Sequence, residues 1–199
     1  MANQPNQLAH RRRGWLEGLR QYTTAFERGY AAVPGLVPAF HIGALRRYFR
    51  VRTRAGAFPL SDDQDGQRYY CHNEPVARFF HHQLASAVSD IARAVVKPSY
   101  AFSVSYQSGS KLDASTDREQ CEYSITLCYD ATPDPEAQSP WPLHLDTAEG
   151  RLQVWQHLGD SLFYRGRHIP HSRDPLPHGH TSSSLLFHYV DEAFDGPLD

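Results

Sequence analysis

Two periodicities divide the chain. Between residues 41 and 56, Ile42, Leu45 and Phe49 recur on one side with Val51 beside them, and arginines fill the rest as far as Gly56. That spacing predicts an amphipathic helix. A second helix is predicted over 73–96, where Val76, Phe80, Leu84, Val88, Ile91 and Val95 repeat at helical intervals. Asn73 suits its cap, Pro75 its first turn and Pro98 its end. His81 and His82 lie on this helix, in positions suited to packing or to solvent rather than to ligation.

Past Pro98 the period drops from 3.6 to 2. Alternating segments occur at 99–107 and 121–130, and a proline-rich loop follows at 131–140. Further short segments, "WPLHLDT", "RLQVWQ", "DSLFYRG" and "SSSLLFHYV", are joined by turns at Glu149-Gly150 and Leu158-Gly159. Short strands this closely spaced predict a β-sandwich or barrel. The expected fold class is α+β: helices first, over about 15–97, packed on a jelly roll over about 98–192. Residues 15–199 form one domain on this reading. A barrel of this kind has a mouth in which a small ligand can sit.

Composition narrows the function. A length of 199 residues suits a single domain with a sizeable core. The net charge of -2 gives no global pull toward nucleic acid or an anionic membrane. The basic tract "HRRRG" at 10–14 ends a polar tail, residues 1–14, read as solvated. No apolar run approaches the ~20 residues of a membrane span. Cys71, Cys121 and Cys128 lack paired spacing, which argues against a disulfide framework and for a reducing cytoplasm. Seven of the twelve histidines fall in the last 56 residues, and imidazole is the commonest metal ligand.

Within the β region, Asp117 lies just before a strand, and His171 follows 54 residues later, after "DSLFYRG" and a turn through Ile169-Pro170. Four or so short strands with their turns fill that interval, so a barrel can return the chain to the same mouth. A literal His-x-Asp also occurs at His144-Leu145-Asp146. Only about two strands fit between it and His171, and strand-surface residues are the plain reading of that pair.

The segments "SYQSG", "STDREQCEYSITL", "PWPL", "GDSLFYRGRHIPHSRDPL" and "LLFHYV" stand in an order and spacing that resembles the 2-oxoglutarate/iron(II) dioxygenases, in particular the small prolyl-4-hydroxylase-like members. The resemblance runs over residues 68–190. It implies a double-stranded β-helix and a facial triad, in which a His-x-Asp pair and a distal histidine hold Fe(II) and 2-oxoglutarate and oxygen take the remaining positions. Carried over by position, Asp117 is the carboxylate ligand and His171 the distal histidine. The implied activity is oxidation of a small-molecule or amino-acid-derived substrate.

Two positions depart from the pattern. Ser115 stands where the first histidine belongs, and a neutral hydroxyl is a poor ligand for Fe(II). The arginine or lysine expected about ten residues after the distal histidine, for the far carboxylate of 2-oxoglutarate, is replaced by His180. Arg173 is a substitute if it turns inward, and Tyr106 can hydrogen-bond the same carboxylate. Three readings stay open: an active oxygenase with unusual ligation, a scaffold that has become a binding module or runs a metal-independent reaction, and an ordinary enzyme carrying an engineered serine.

Overall fold

The computed structural model describes residues 17–63, 65–135 and 138–199. The polar tail with its basic tract lies outside them. Residues 17–26 are helical and are called α1. They lead into strand β1 (Tyr30–Val33), helix α2 (Ala39–Arg54) and a hairpin of β2 (Leu60–Asp63) with β3 (Gly66–His72). Helices α3 (Pro75–Gln83) and α4 (Ala85–Ala92) come next, and every later element is a strand. These are β4 (Val96–Tyr106), β5 (Leu112–Ser115), β6 (Tyr123–Thr132), β7 (Leu143–Thr147), β8 (Gly150–Val154), β9 (Ser161–Tyr164), β10 (His171–Arg173) and β11 (Thr181–Asp191).

The strands form two antiparallel sheets. The larger runs β1-β9-β6-β11-β4-β3-β2, the smaller β5-β10-β7-β8. Alternation along β6 and β11 sorts side chains onto two faces of the larger sheet. Ile125, Leu127, Phe187 and Tyr189 point one way and pack with Leu45, Phe49, Val88 and Ile91 of the helices. Full burial of side chains of this size contributes about 1.5–3 kcal/mol each. On the other face, Leu162 and Tyr164 of β9 pack with Leu143 and Leu145 of β7, which closes one end of the space between the sheets. Val104 and Tyr106 pack with Trp141 and Leu176 at another part of it.

Helix α2 buries Ile42, Leu45 and Phe49 as the period requires, while Val51 is exposed. Its arginines do more than face water: Arg46 Nε lies 2.9 Å and Arg50 Nε 2.7 Å from the buried carboxylate of Asp130 on β6. The single helix expected over 73–96 is two, divided by a turn at Leu84. Glu74 rather than Asn73 caps it, accepting from the backbone N–H groups of Val76 and Ala77. Asn73 sits at φ 51° and takes the Ala101 N–H instead. Arg93, at φ 52°, ends α4 in the left-handed conformation, and Val95 is exposed. Pro98 falls inside β4, opposite Tyr189 where the β11 register shifts, which is where a sheet tolerates a residue with no N–H.

The region expected to be a helical layer therefore also holds three strands. β1 and the β2–β3 hairpin extend both edges of the larger sheet, and neither has the clean alternation of a half-buried strand. Among the described residues no helix is long and apolar enough to cross a membrane.

Candidate active site

Asp117 lies in the loop between β5 and β6, its backbone N–H bonded to the carbonyl of Gly166 at 2.9 Å. His171 opens β10, and four strands, β6 to β9, separate the two in sequence. His171 Nδ1 donates to the carbonyl of Ile169 at 3.0 Å, which turns Nε2 toward Asp117 Oδ1 at 3.4 Å. The Tyr164 ring meets the imidazole edge-on, 5.0 Å between centroids. An imidazole locked through Nδ1 with Nε2 beside a carboxylate is the arrangement metal-binding histidines adopt.

The other carboxylate oxygen is held from β6 and β11. Ser124 Oγ donates to Asp117 Oδ2 at 3.1 Å, and Ser124 Oγ and His188 Nδ1 are 2.9 Å apart. A carboxylate only accepts and a hydroxyl has one proton, so His188 must donate through Nδ1. Its Nε2 is thereby left with a lone pair, bonded to no protein group among the described residues. Gly166 makes this packing possible: a Cβ there would overlap Asp117 Oδ2, 2.5 Å from Ser124 Oγ and 2.8 Å from the Cys121 carbonyl oxygen.

Burial pushes the Asp117 carboxyl up, but the bond to His171 and the nearby His188 and His171 outweigh it and hold it below the usual carboxylate range. Burial likewise pushes His171 down, and the bond and charge of Asp117 reverse this and raise it. His188 has no such direct partner, and burial lowers it to about 4, so it is neutral at pH 7. Cys121, also buried and close to Asp117, is pushed up to about 12.

Asp117, His171 and His188 line a cavity of about 240 Å³ between the sheets. Arg173, Tyr106 and Arg68 line the same cavity. Arg173 is two residues beyond His171 on the short strand β10. Its guanidinium lies 4.5 Å from the Trp141 ring centre and donates to the Trp141 carbonyl. It is buried, and among the described residues no carboxylate lies within ion-pair distance of it. Arg68 approaches from β3, paired with Asp63 at 2.9 Å and Asp65 at 3.3 Å, and its buried Nε has no partner. Arg68 and Ser182 both pair with Tyr106 across β4, so all three share the inner face of the larger sheet.

Of the residues expected at the site, Asp117, His171, Arg173 and Tyr106 meet round this cavity. Ser115 and His180 are not among its lining residues. Ser115 pairs with His171 across the β5–β10 ladder, but its hydroxyl reaches 3.4 Å to the carbonyl of Asp113. His180 sits in the turn before β11 and bonds through Nδ1 to the His178 carbonyl, so a short local contact holds it at the rim of the fold. The pair His144–Asp146 faces away: Leu145 between them pairs with His171, so its neighbours point to the opposite side of the sheet. His144 bonds instead to Asp174 at 3.0 Å. Arg118 reaches the cavity over the Tyr100 ring, while Tyr123 bonds to Asp191 and Arg165 and Arg167 pair with Glu122.

His188, Ser124, Gly166 and Arg68 were not anticipated. His188 and Leu186 alternate inward along β11, so period two in "LLFHYV" carries a signal for the first. Arg68 fell in a segment without clear strand character.

Neither the protein-family models nor the curated proteins compared with the chain gave a match. Solved structures do. The α-ketoglutarate-dependent non-heme epimerase SnoN from nogalamycin biosynthesis superposes with a TM-score of 0.73 over 88% of this chain and 83% of its own, at 13% identity. A prolyl-4-hydroxylase of Pseudomonas putida gives 0.69 over 88% of this chain and all of its own, at 17% identity. HygX from Streptomyces hygroscopicus, solved with nickel, 2-oxoglutarate and hygromycin B, gives 0.67 over 88% of each chain, at 12% identity. The fold is that of the 2-oxoglutarate-dependent oxygenases.

Proposed function

We propose that this chain is an oxidoreductase of the 2-oxoglutarate-dependent kind, built on a double-stranded β-helix and acting on a small-molecule or amino-acid-derived substrate. The residues present fit Fe(II) at two of the three usual side-chain positions. Asp117 and His171 would hold it, with Nδ1 of His171 fixed by the Ile169 carbonyl. Bound there with 2-oxoglutarate, the metal supplies the oxygen-activating redox chemistry, and the protein supplies binding and orientation.

The observation that carries this reading is Arg173. A buried guanidinium with no carboxylate partner, in the cavity that holds the Asp117–His171 pair, calls for an anionic ligand. It would take the far carboxylate of 2-oxoglutarate by a paired contact, with Tyr106 adding a hydroxyl. Arg173 thus replaces the grip expected from the strand after His171, where this chain has His180 at the rim. The indole of Trp141 and the ring of Tyr106, 5.0 Å apart, keep the guanidinium in place and exclude water from it. Leu143, Phe102 and Leu186 give the remaining wall an apolar lining for a substrate. SnoN, with Fe3+, α-ketoglutarate and nogalamycin RO, and HygX, with hygromycin B, place small molecules on this fold, which supports a small-molecule substrate here.

Anaerobic titration of the chain with Fe(II) and then 2-oxoglutarate tests the proposal. Binding of both, followed by succinate formation in air, is the expected result. Binding of neither overturns it. The second reading, a metal-free binding module that uses the same cavity, is favoured by the non-ligating hydroxyl of Ser115 opposite His171 and predicts an organic anion bound without metal dependence.

A further inference from the structure

Asp117 belongs to a second group of potential ligands besides its pairing with His171. One ligand atom each from Asp117, Cys121 and His188 lie within 4.8 Å of one another. Two ligands of one metal can be separated by at most twice a bond length, about 4–4.6 Å for nitrogen, oxygen and sulfur donors. The three atoms are therefore within a few tenths of an ångström of a coordination sphere. Two come from the connection between β5 and β6, Asp117 near its start and Cys121 near its end, and His188 comes from the inner face of β11.

Two of the donors are also oriented for ligation. His188 gives its only proton to Ser124, so Nε2 keeps a lone pair and the ring is neutral. The Cys121 sulfur has the Tyr100 hydroxyl at 3.0 Å as its side-chain partner, a contact that a bound metal would displace. Ser124 joins Asp117 to His188 and fixes their relative orientation. Ser115, where the family pattern has a histidine, bonds through its hydroxyl to the Asp113 carbonyl.

We infer that Cys121 and His188 complete the metal site around Asp117, in place of the missing histidine ligand at position 115. This deepens the function proposed above and rests on it for the metal at Asp117. A site of carboxylate, imidazole and thiolate suits Fe(II), Zn(II) or Co(II) and disfavours Mg(II) and Ca(II), which prefer all-oxygen shells. Coordination releases the thiol proton to solvent and leaves Cys121 as the thiolate.

Co(II) is the probe, titrated into the full chain after chelator treatment and followed by absorption and calorimetry. The expected result is one Co(II) bound with a near-ultraviolet thiolate-to-cobalt charge-transfer band. Cys121→Ser should remove that band. His188→Gln should weaken Co(II) by roughly 10–100-fold or more. Circular dichroism identifies any variant that fails to fold, and the wild-type band alone then decides. Binding without the band, with Cys121→Ser and His188→Gln unaltered and His171→Gln abolishing it, overturns this inference and leaves the proposed function standing. A band present in a chain that never binds 2-oxoglutarate upholds the inference and removes the proposed function. Absence of Co(II) binding overturns the inference.

Discussion

Ser115 lies directly opposite His171 on the β5–β10 ladder, on the same face of the smaller sheet. Opposed residues on an antiparallel pair have Cα atoms about 4.5–5.5 Å apart, so an imidazole at 115 would stand beside that of His171. The replacement Ser115→His should therefore add a nitrogen ligand next to Asp117. Calorimetric titration with Fe(II) under anaerobic conditions should show binding at least ~10-fold tighter than in the wild type. An unchanged dissociation constant would mean that position 115 is not the vacant place.

Arg173 separates function from stability. Its guanidinium is buried without a counter-charge, and burial lowers its pKa, opposed by Tyr106, Cys128 and Tyr164. Methionine follows its unbranched stem as far as the Nε position and carries no charge to desolvate. Arg173→Met should leave the urea midpoint unchanged or raise it, since replacing buried charge by packed apolar groups is often neutral or stabilising. The same variant should weaken 2-oxoglutarate by roughly 10-fold or more, the worth of a hydrogen bond to a charged group. A large loss of stability with intact 2-oxoglutarate binding would show that Arg173 serves the fold alone.

Gly166 tests the packing behind the carboxylate. Alanine there would press on Asp117 Oδ2, Ser124 Oγ and the Cys121 carbonyl together, and two of these belong to the proposed metal site. Overpacking of this kind costs about 1–3 kcal/mol. Gly166→Ala should lower the urea midpoint accordingly and loosen metal binding, whereas Gly179→Ala, with open space around it but φ of 78°, should disturb stability without touching the metal. Equal metal affinity in wild type and Gly166→Ala would contradict the close fit.

The strands that build the site were largely legible from short runs rich in aromatic and aliphatic residues bounded by turn residues: β4, β6, β9 and β11 each fall within or overlap such a segment, although the fold buries both faces of β6, β9 and β11. β10 was not, because three residues are too few to show a period, and β5 was hidden because its pattern is mostly exposed. β1 and β3 lie in the part expected to be a helical layer but outside its two segments of helical spacing, and neither shows a clear period, so Arg68 had no strand to place it. Asp117 and His171 could be paired from their interval and the strands between them. Cys121 and His188 could not, since their meeting depends on Ser124 and Gly166, whose roles are set by contacts across three strands. His180 misled for the opposite reason: counting from His171 locates a position in sequence but not the turn that carries it away from the cavity.

His81 offers a test of the core beneath β11. It is fully buried on α3, stacked on Phe187, with Nε2 donating to the carbonyl of His188 at 2.7 Å. Burial lowers its pKa to about 3, while an unfolded histidine titrates near ~6.5. The unfolded chain thus takes up the proton first. Above ~6.5 His81 contributes no pH dependence, and between there and about 3 it lowers stability by about 1.4 kcal/mol per pH unit as the pH falls. Glutamine keeps an N–H donor and does not titrate. His81→Gln should be less stable than the wild type at pH 7.5 through lost packing, and the gap should shrink by about 2 kcal/mol at pH 5. Urea unfolding at the two pH values measures it, and a gap that stays constant would show that His81 is not held neutral by the fold.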